Sequence, residues 1–266
     1  MAGKVYVTGD CHGFFSKFNT ANFAQQRGMD KDDYVIICGD FGGIWSTDAE
    51  NREEKYLMSW MENKPFTTLF VDGNHENFDR LNSCPVEMWN GGRVHKIRPS
   101  VIHLMRGQVY EIAGQRIFTF GGAKSHDIQG GILDREDPDY REKAGYMDRE
   151  WISYRINHLS WWKEELPSEG EMQEALINLA GYDYKVDYVI THCCSSDTQD
   201  RLGGQGLYKK DIQTEFFNRI KSEVKYKRWY FGHYHMDANV TDTEILLYDR
   251  IICLGDILQE GVEYYD

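Results

Sequence analysis

"RWYFGHYHMD", residues 228–237, runs through the aromatic and apolar residues of a buried strand and then delivers two histidines with one tyrosine between them. Imidazoles at the tip of a core strand add nothing to hydrophobic burial, and the glycine before His233 lets the backbone turn or approach a neighbour closely. What those rings hold is answered by the other strand tips. Short apolar runs ending in Gly, Asp or His recur as "KVYVTGD" (4–10), "DYVIICGD" (33–40), "TTLFVDG" (67–73) and "VDYVITH" (186–192). Their near-continuous hydrophobic character predicts strands covered on both faces.

Helical patterns separate these runs. In "STDAENREEKYLMSWMEN" (46–63), Thr47 and Glu50 have capping-box spacing, and Leu57, Trp60 and Met61 form an apolar stripe. Ser168 and Glu171 form a second such pair ahead of "EMQEALINLA", and Ile212, Phe216, Phe217 and Ile220 recur at helical spacing within 211–225. Two regions, 100–122 and 240–254, read as strand runs broken by turn residues and predict antiparallel hairpins. The expected class is α/β with mixed sheets.

A chain of 266 residues, 41% hydrophobic and 14% aromatic, can bury a sizeable core, and with no repeat or linker it is expected to form one domain over 1–266. Residues 124–170, charged and aromatic with weak periodicity, are expected to form an insertion on its surface, a candidate lid. Asp and Glu total 43 against 30 Lys and Arg, and the net charge of -13 repels polyanions, so nucleic acid is not the default partner. Six cysteines without a CxxC pair predict a reducing, cytoplasmic location. The N-terminus enters a strand pattern at once and no window approaches 18 uncharged apolar residues, so neither a secretory signal nor a membrane span is expected.

In α/β sheets, ligand-binding groups gather where strands end and loops begin. Here the tips carry Asp10 and His12, Asp40, Asn74 and His75, His192, and finally His233 and His235. Any one of them has a plain structural reading: an Asp at a strand end caps the next helix, and a lone His is a hydrogen-bonded core residue. Five tips carrying this set together point to a metal site. Mixed nitrogen and oxygen donors without thiolate suit Mn, Fe or Zn better than Ca or Mg, and a carboxylate shared between ions supports a two-metal site.

The series "GDCHG", "GDFGG", "GNHE", the "THCC" histidine and "GHYH" resembles the five-motif signature of the calcineurin-like metallophosphoesterases, and it spans residues 9–235. The resemblance implies an αββα sandwich of two mixed sheets flanked by helices. It implies Asp10, His12, Asp40 and His235 as ligands of one metal and Asp40, Asn74, His192 and His233 as ligands of the other, with Asp40 bridging. It also implies His75 as a catalytic histidine beside the metals. The implied activity is hydrolysis of a small phosphoester by in-line attack of a bridging hydroxide, with protonated His75 as general acid.

The sequence departs from the phosphoprotein phosphatase pattern, in which arginines follow the second motif and precede the third. Here Phe41, Gly42 and Gly43 follow Asp40, and Asp72 precedes Gly73. Without that guanidinium clamp a phosphodiester is favoured over a monoester dianion. Gly43 also stands where many relatives keep an aspartate that orients the catalytic histidine. Lys124 and His126, in "FTFGGAKSHDIQGG" (118–131), are candidate substrate contacts, with a polar turn as the alternative. Trp161 and Trp162 either stack a base or anchor the insertion. A phosphoprotein phosphatase, a nuclease and a non-catalytic scaffold are the rival readings.

Overall fold

The apolar runs named above become parallel strands in a computed structural model of the chain, which describes residues 3–47 and 49–259. The strands are β1 (Val5–Thr8), β2 (Tyr34–Ile37), β3 (Thr67–Phe70), β4 (Val86–Trp89), β5 (Gly92–Arg98), β6 (Val101–Leu104), β7 (Gln108–Ile112) and β8 (Gln115–Phe120). They continue with β9 (Ile132–Leu133), β10 (Arg155–Ile156), β11 (Tyr188–Thr191), β12 (Arg228–Phe231), β13 (Ala238–Asn239), β14 (Glu244–Leu246) and β15 (Ile251–Cys253). The helices are α1 (Arg52–Glu62), α2 (Phe78–Leu81), α3 (Tyr140–Glu150), α4 (Glu169–Ala180), α5 (Ser196–Gly203) and α6 (Ile212–Glu223).

One sheet has the order β15-β1-β2-β3-β6-β5-β4 and the other β13-β14-β12-β11-β8-β7, while β9 and β10 form a separate parallel pair. In the first, β1, β2, β3 and β6 run parallel, with β15 and β5 antiparallel at the flanks. In the second, β14, β12, β11 and β8 run parallel.

Alternation along each strand explains the layers. Ile36, Leu69 and Ile102 of one sheet meet Ile117, Ile190 and Tyr230 of the other in a shared core. Val35, Ile37 and Phe70 face the opposite way and pack against Met58 and Met61 of α1 with Phe18, Phe23 and Phe66. Phe118, Val189 and Trp229 pack outward against Ala175 and Leu179 of α4 and Phe217 and Ile220 of α6. The result is the helix–sheet–sheet–helix sandwich that the resemblance implied.

Several local expectations need revision. Helix α1 is capped by Asn51, whose Oδ1 accepts a hydrogen bond from the Glu54 amide at 2.9 Å, and not by Thr47. Asn51 is an equally good cap closer to the apolar stripe, and Glu50 is taken up by an ion pair with Arg98. The Ser168 box at α4 forms as expected, with Glu171 closing it. Only part of 100–122 is a hairpin: β7 and β8 pair antiparallel, whereas β6 belongs to the other sheet, parallel to β3. Likewise β14 and β15 lie in different sheets. Strand periodicity is the same whichever sheet receives the strand, so it could not distinguish these cases.

Candidate metal centre

Each parallel strand β1, β2, β3, β11 and β12 delivers its polar tip to one place, so both sheets contribute to a single cluster. Ligand-type atoms of Asp10, His12, Asp40 and His235 all lie within 4.8 Å of one another. His12 Nε2 and His235 Nε2 are 3.0 Å apart, and His235 Nε2 is 3.3 Å from Asp10 Oδ2. On the other side, His192 Nε2 lies 3.3 Å from Asp40 Oδ1 and 3.2 Å from Asn74 Oδ1. Asp40 therefore turns Oδ1 toward His192 and Oδ2 toward His12, 3.7 Å away.

The backbone is bent to achieve this. His12, Asp40, His233 and His235 have φ of 48°, 45°, 73° and 49°, a left-handed conformation uncommon for non-glycine residues. Two glycines make room for the carboxylates: a Cβ at Gly73 would lie 2.0 Å from Asp40 Oδ1, and one at Gly232 would lie 2.1 Å from Asp10 Oδ1. In these two cases one motif's glycine clears space for another motif's aspartate. The His233 amide donates to Asp10 Oδ1 at 2.9 Å and the His75 amide to Asp40 Oδ1 at 2.8 Å.

The electrostatics favour positive charge. Burial alone would raise Asp40, but His192 more than reverses this and holds it at about 2. Burial likewise opposes a charge on His192, yet Asp40 and Asp10 push that ring up to about 10. Imidazole nitrogens and carboxylate oxygens converge on the cluster, and its facing ring nitrogens cannot all be satisfied by one another. This donor chemistry fits a cation. His233 is held well below its ordinary value by burial.

Surrounding groups fix the inner ones. The carbonyl of Cys38 accepts from His192 Nδ1 at 2.8 Å, which leaves Nε2 facing the cluster. Glu76, the last residue of "GNHE", accepts the amides of Phe41 at 2.7 Å and Gly42 at 3.4 Å and so pins the loop after β2. Burial, with the charge of Asp40 in addition, pushes its carboxyl well above the ordinary range. Asn74 Nδ2 donates to Ser125 Oγ at 3.4 Å, and that hydroxyl donates to Glu165 at 2.6 Å.

His75 has its ring beside those of His12 and Trp45, at centroid distances of 5.0 and 6.3 Å, with no side-chain hydrogen bond among the described residues. Burial lowers its pKa, with the nearby Asp40 opposing and Arg155 adding to the shift. No aspartate could replace Gly43 unaided, since a Cβ there would fall 2.5 Å from both Met58 Cε and Phe41 Cε1. His126 Nε2 lies 2.8 Å from His233 Nε2, at the edge of the cluster. Lys124 is half-buried and makes no hydrogen bond or ion pair among the described residues.

Cys11 points into the core with Phe15 and Phe41, and burial pushes its thiol up to about 12. Cys193 and Cys194 are buried in the core on the far side of the second sheet. Sequence reasoning missed Arg155, whose charge reaches His75 and whose guanidinium is forked onto Asp127 at 3.0 and 2.5 Å. It looked for arginine only beside the motifs, and nothing in the spacing of the insertion marks this one. Glu165 was missed for the same reason.

A set of acids and imidazoles gathered at the tips of two stacked sheets could hold a metal ion. The profile of the calcineurin-like phosphoesterases matches residues 3–237, and the chain belongs to that family of phosphoester hydrolases. Curated relatives include the lariat debranching enzymes of Homo sapiens, 31% identical over 59% of this chain, and Mus musculus, 30% identical over 59%. The chain spans about 30% of the length of these relatives. Among solved structures, a phosphopantetheinyl hydrolase from Mycobacterium tuberculosis is 12% identical with a TM-score of 0.44, covering 100% of this chain and 99% of its own. Among the described residues no helix is long and apolar enough to cross a membrane.

Proposed function

We propose that the chain hydrolyses small phosphodiesters with a pair of divalent transition-metal ions, Mn, Fe or Zn. One observation carries the two-ion reading: Asp40 directs one carboxylate oxygen to the His192 and Asn74 side and the other to the His12 side. On this reading Asp10, His12, Asp40 and His235 hold one ion, and Asp40, Asn74, His192 and His233 hold the second. When bound, such a pair supplies Lewis acidity and a nucleophile at neutral pH. The chain's own residues orient the ligands through the Cys38 carbonyl, Ser125 and Glu76, and place the His75 ring beside the reacting phosphoryl group. His126, whose Nε2 lies 2.8 Å from His233 Nε2, and Lys124, two residues before it, are the substrate contacts that this reading takes from the 124–170 segment.

The preference for diesters rests on charge. Arg155 is paired with Asp127 and the buried Arg106 with Asp72, and no arginine adjoins Asp40 or Gly73 in the sequence, so a monoester dianion lacks a free guanidinium clamp. Bis-p-nitrophenyl phosphate is expected to be hydrolysed at least as fast as p-nitrophenyl phosphate with the same metal. A strong monoester preference overturns the assignment. The name of the debranching relatives adds weight to a diester, and a nuclease-like substrate is the second reading that this similarity favours.

The segment 124–170 serves, in this proposal, as a cover over the cluster. Its ends are fastened to the sandwich: Ser125 to Asn74, and both His158 and Trp162 to Asp79. Between them α3 buries only Ala144, which accounts for the weak periodicity of its sequence. Replacing 135–150 with a short Gly/Ser loop is expected to leave metal content unchanged while altering KM and the ranking of substrates. Unchanged kinetics assign the segment a structural role only.

A further inference from the structure

A cavity of about 340 Å³ adjoins the cluster, lined by His12 and His75 and also by Phe14, Trp45, Asn51 and Glu53. Its aromatic walls are unusual for a water-facing surface. Phe14, two residues beyond His12, is 79% exposed, and Trp45 is 36% exposed. Large apolar faces left open beside a reacting centre point to a ligand that covers them.

Trp45 is packed against two neighbouring rings. Its ring packs edge-on against Trp162 at a centroid distance of 5.7 Å and lies tilted by 35° against His75. Trp162 is itself 1% exposed, and its Nε1 donates to Asp79 Oδ2 at 2.7 Å. The tryptophan pair of the insertion thus reaches the site indirectly: Trp162 is a buried support, and the exposed platform is Trp45.

The polar lining is equally specific. Asn51 Oδ1 is committed to the Glu54 amide, which leaves the Nδ2 donors for a ligand. Glu54 is paired with Arg80, whereas the Glu53 carboxylate has no hydrogen bond or ion pair among the described residues. Aromatic faces with one amide donor and one carboxylate acceptor match a nucleobase, which offers a π-face and a mixed donor and acceptor edge. A quaternary ammonium would use the rings and the carboxylate but leave the amide without a partner. A second phosphate would face Glu53 and the net charge of -13.

The geometry points to this cavity as a leaving-group subsite that stacks a nucleobase, so that the substrate is a small phosphodiester whose departing alcohol is a nucleoside. This rests on the phosphodiesterase reading, and on His75 marking the leaving-group side. The Glu53 carboxylate would accept from an exocyclic amine, which stands clear of the ring, whereas uridine offers only an N3–H flanked by two carbonyl oxygens that repel a carboxylate, so adenosine and cytidine should bind better than uridine.

Direct binding separates this inference from the activity it builds on. Calorimetric titration of free adenosine, cytidine and uridine into the metal-loaded protein is expected to show binding in the order just given. Phe14→Ala and Trp45→Ala should each weaken adenosine binding by roughly 5- to 150-fold, the range for loss of one base–aromatic stack. Trp45→Phe should retain most of it, and Glu53→Gln should abolish the advantage over uridine. Nucleoside binding that is absent, or equal in the wild type and both alanine variants with unaltered circular dichroism, overturns the inference. Tighter binding of choline than of adenosine overturns it too, by assigning the cavity to a cation. If nucleosides bind as expected while no diester is hydrolysed, the subsite stands and the proposed reaction falls.

Discussion

Asp40→Ala is expected to purify with fewer metal ions than the wild type and to lose more activity than the ~10–100-fold that removal of an outer partner of a metal ligand costs. The expectation follows from the two faces of this carboxylate, one oxygen 3.3 Å from His192 Nε2 and the other 3.7 Å from His12 Nε2. Asp10 also spreads its oxygens, with Oδ1 3.9 Å from His192 Nδ1 and Oδ2 3.3 Å from His235 Nε2, but that His192 nitrogen is committed to the Cys38 carbonyl, whereas Asp40 meets a ring Nε2 on both sides. Elemental analysis of protein purified without chelator, together with titration of Mn, Fe and Zn, measures the effect. The same side chain accepts the His75 amide, so circular dichroism must accompany the measurement to separate lost metal from a disturbed loop. Equal metal content in variant and wild type, or none in either, overturns the assignment of Asp40 as a bridge.

The second large effect is expected at His75. If its ring protonates the departing oxygen, His75→Asn should retain metal and lose rate most for leaving groups of high pKa, because a good leaving group departs without a proton. General acid catalysis contributes on the order of 10²- to 10⁴-fold, so the loss should be plain with phenyl esters and much smaller with p-nitrophenyl esters. The value should fall toward the lower end of that range. The ring has no hydrogen-bonding orienter among the described residues, its neighbours being the rings of His12 and Trp45. An aryl ester series with metal content checked in each preparation decides the matter. Equal losses across the series, or loss of an ion, remove the general-acid role.

Much of this architecture is legible in the sequence because chemistry and periodicity coincide at the strand tips. The run "DYVIICGD" is apolar on both faces, and the carboxylate that ends it, Asp40, enters the cluster. What could not be read is pairing at a distance. Only three residues separate Leu104 from Gln108, yet β6 and β7 belong to different sheets. Local alternation carries no record of that crossing. The supporting contacts were equally silent: Arg155, Ser125 and Glu165 act through the fold of the insertion, and their spacing carries no period. The helix α3 was missed because a helix that buries one alanine leaves almost no stripe.

The cluster draws Asp10, His12, Asp40 and Asn74 from one sheet and His192, His233 and His235 from the other. On the proposed assignment each ion is therefore a clasp across the sandwich, and its affinity and the docking of the sheets are one thermodynamic quantity. A ligand that binds only the docked state stabilises it by mass action, roughly 2.7 kcal/mol at a hundredfold excess over Kd. Thermal unfolding followed while metal is titrated should then show a melting temperature that rises with the logarithm of free metal. Chelation should lower it most steeply for signals that report on contact between the sheets, such as the environment of Tyr230.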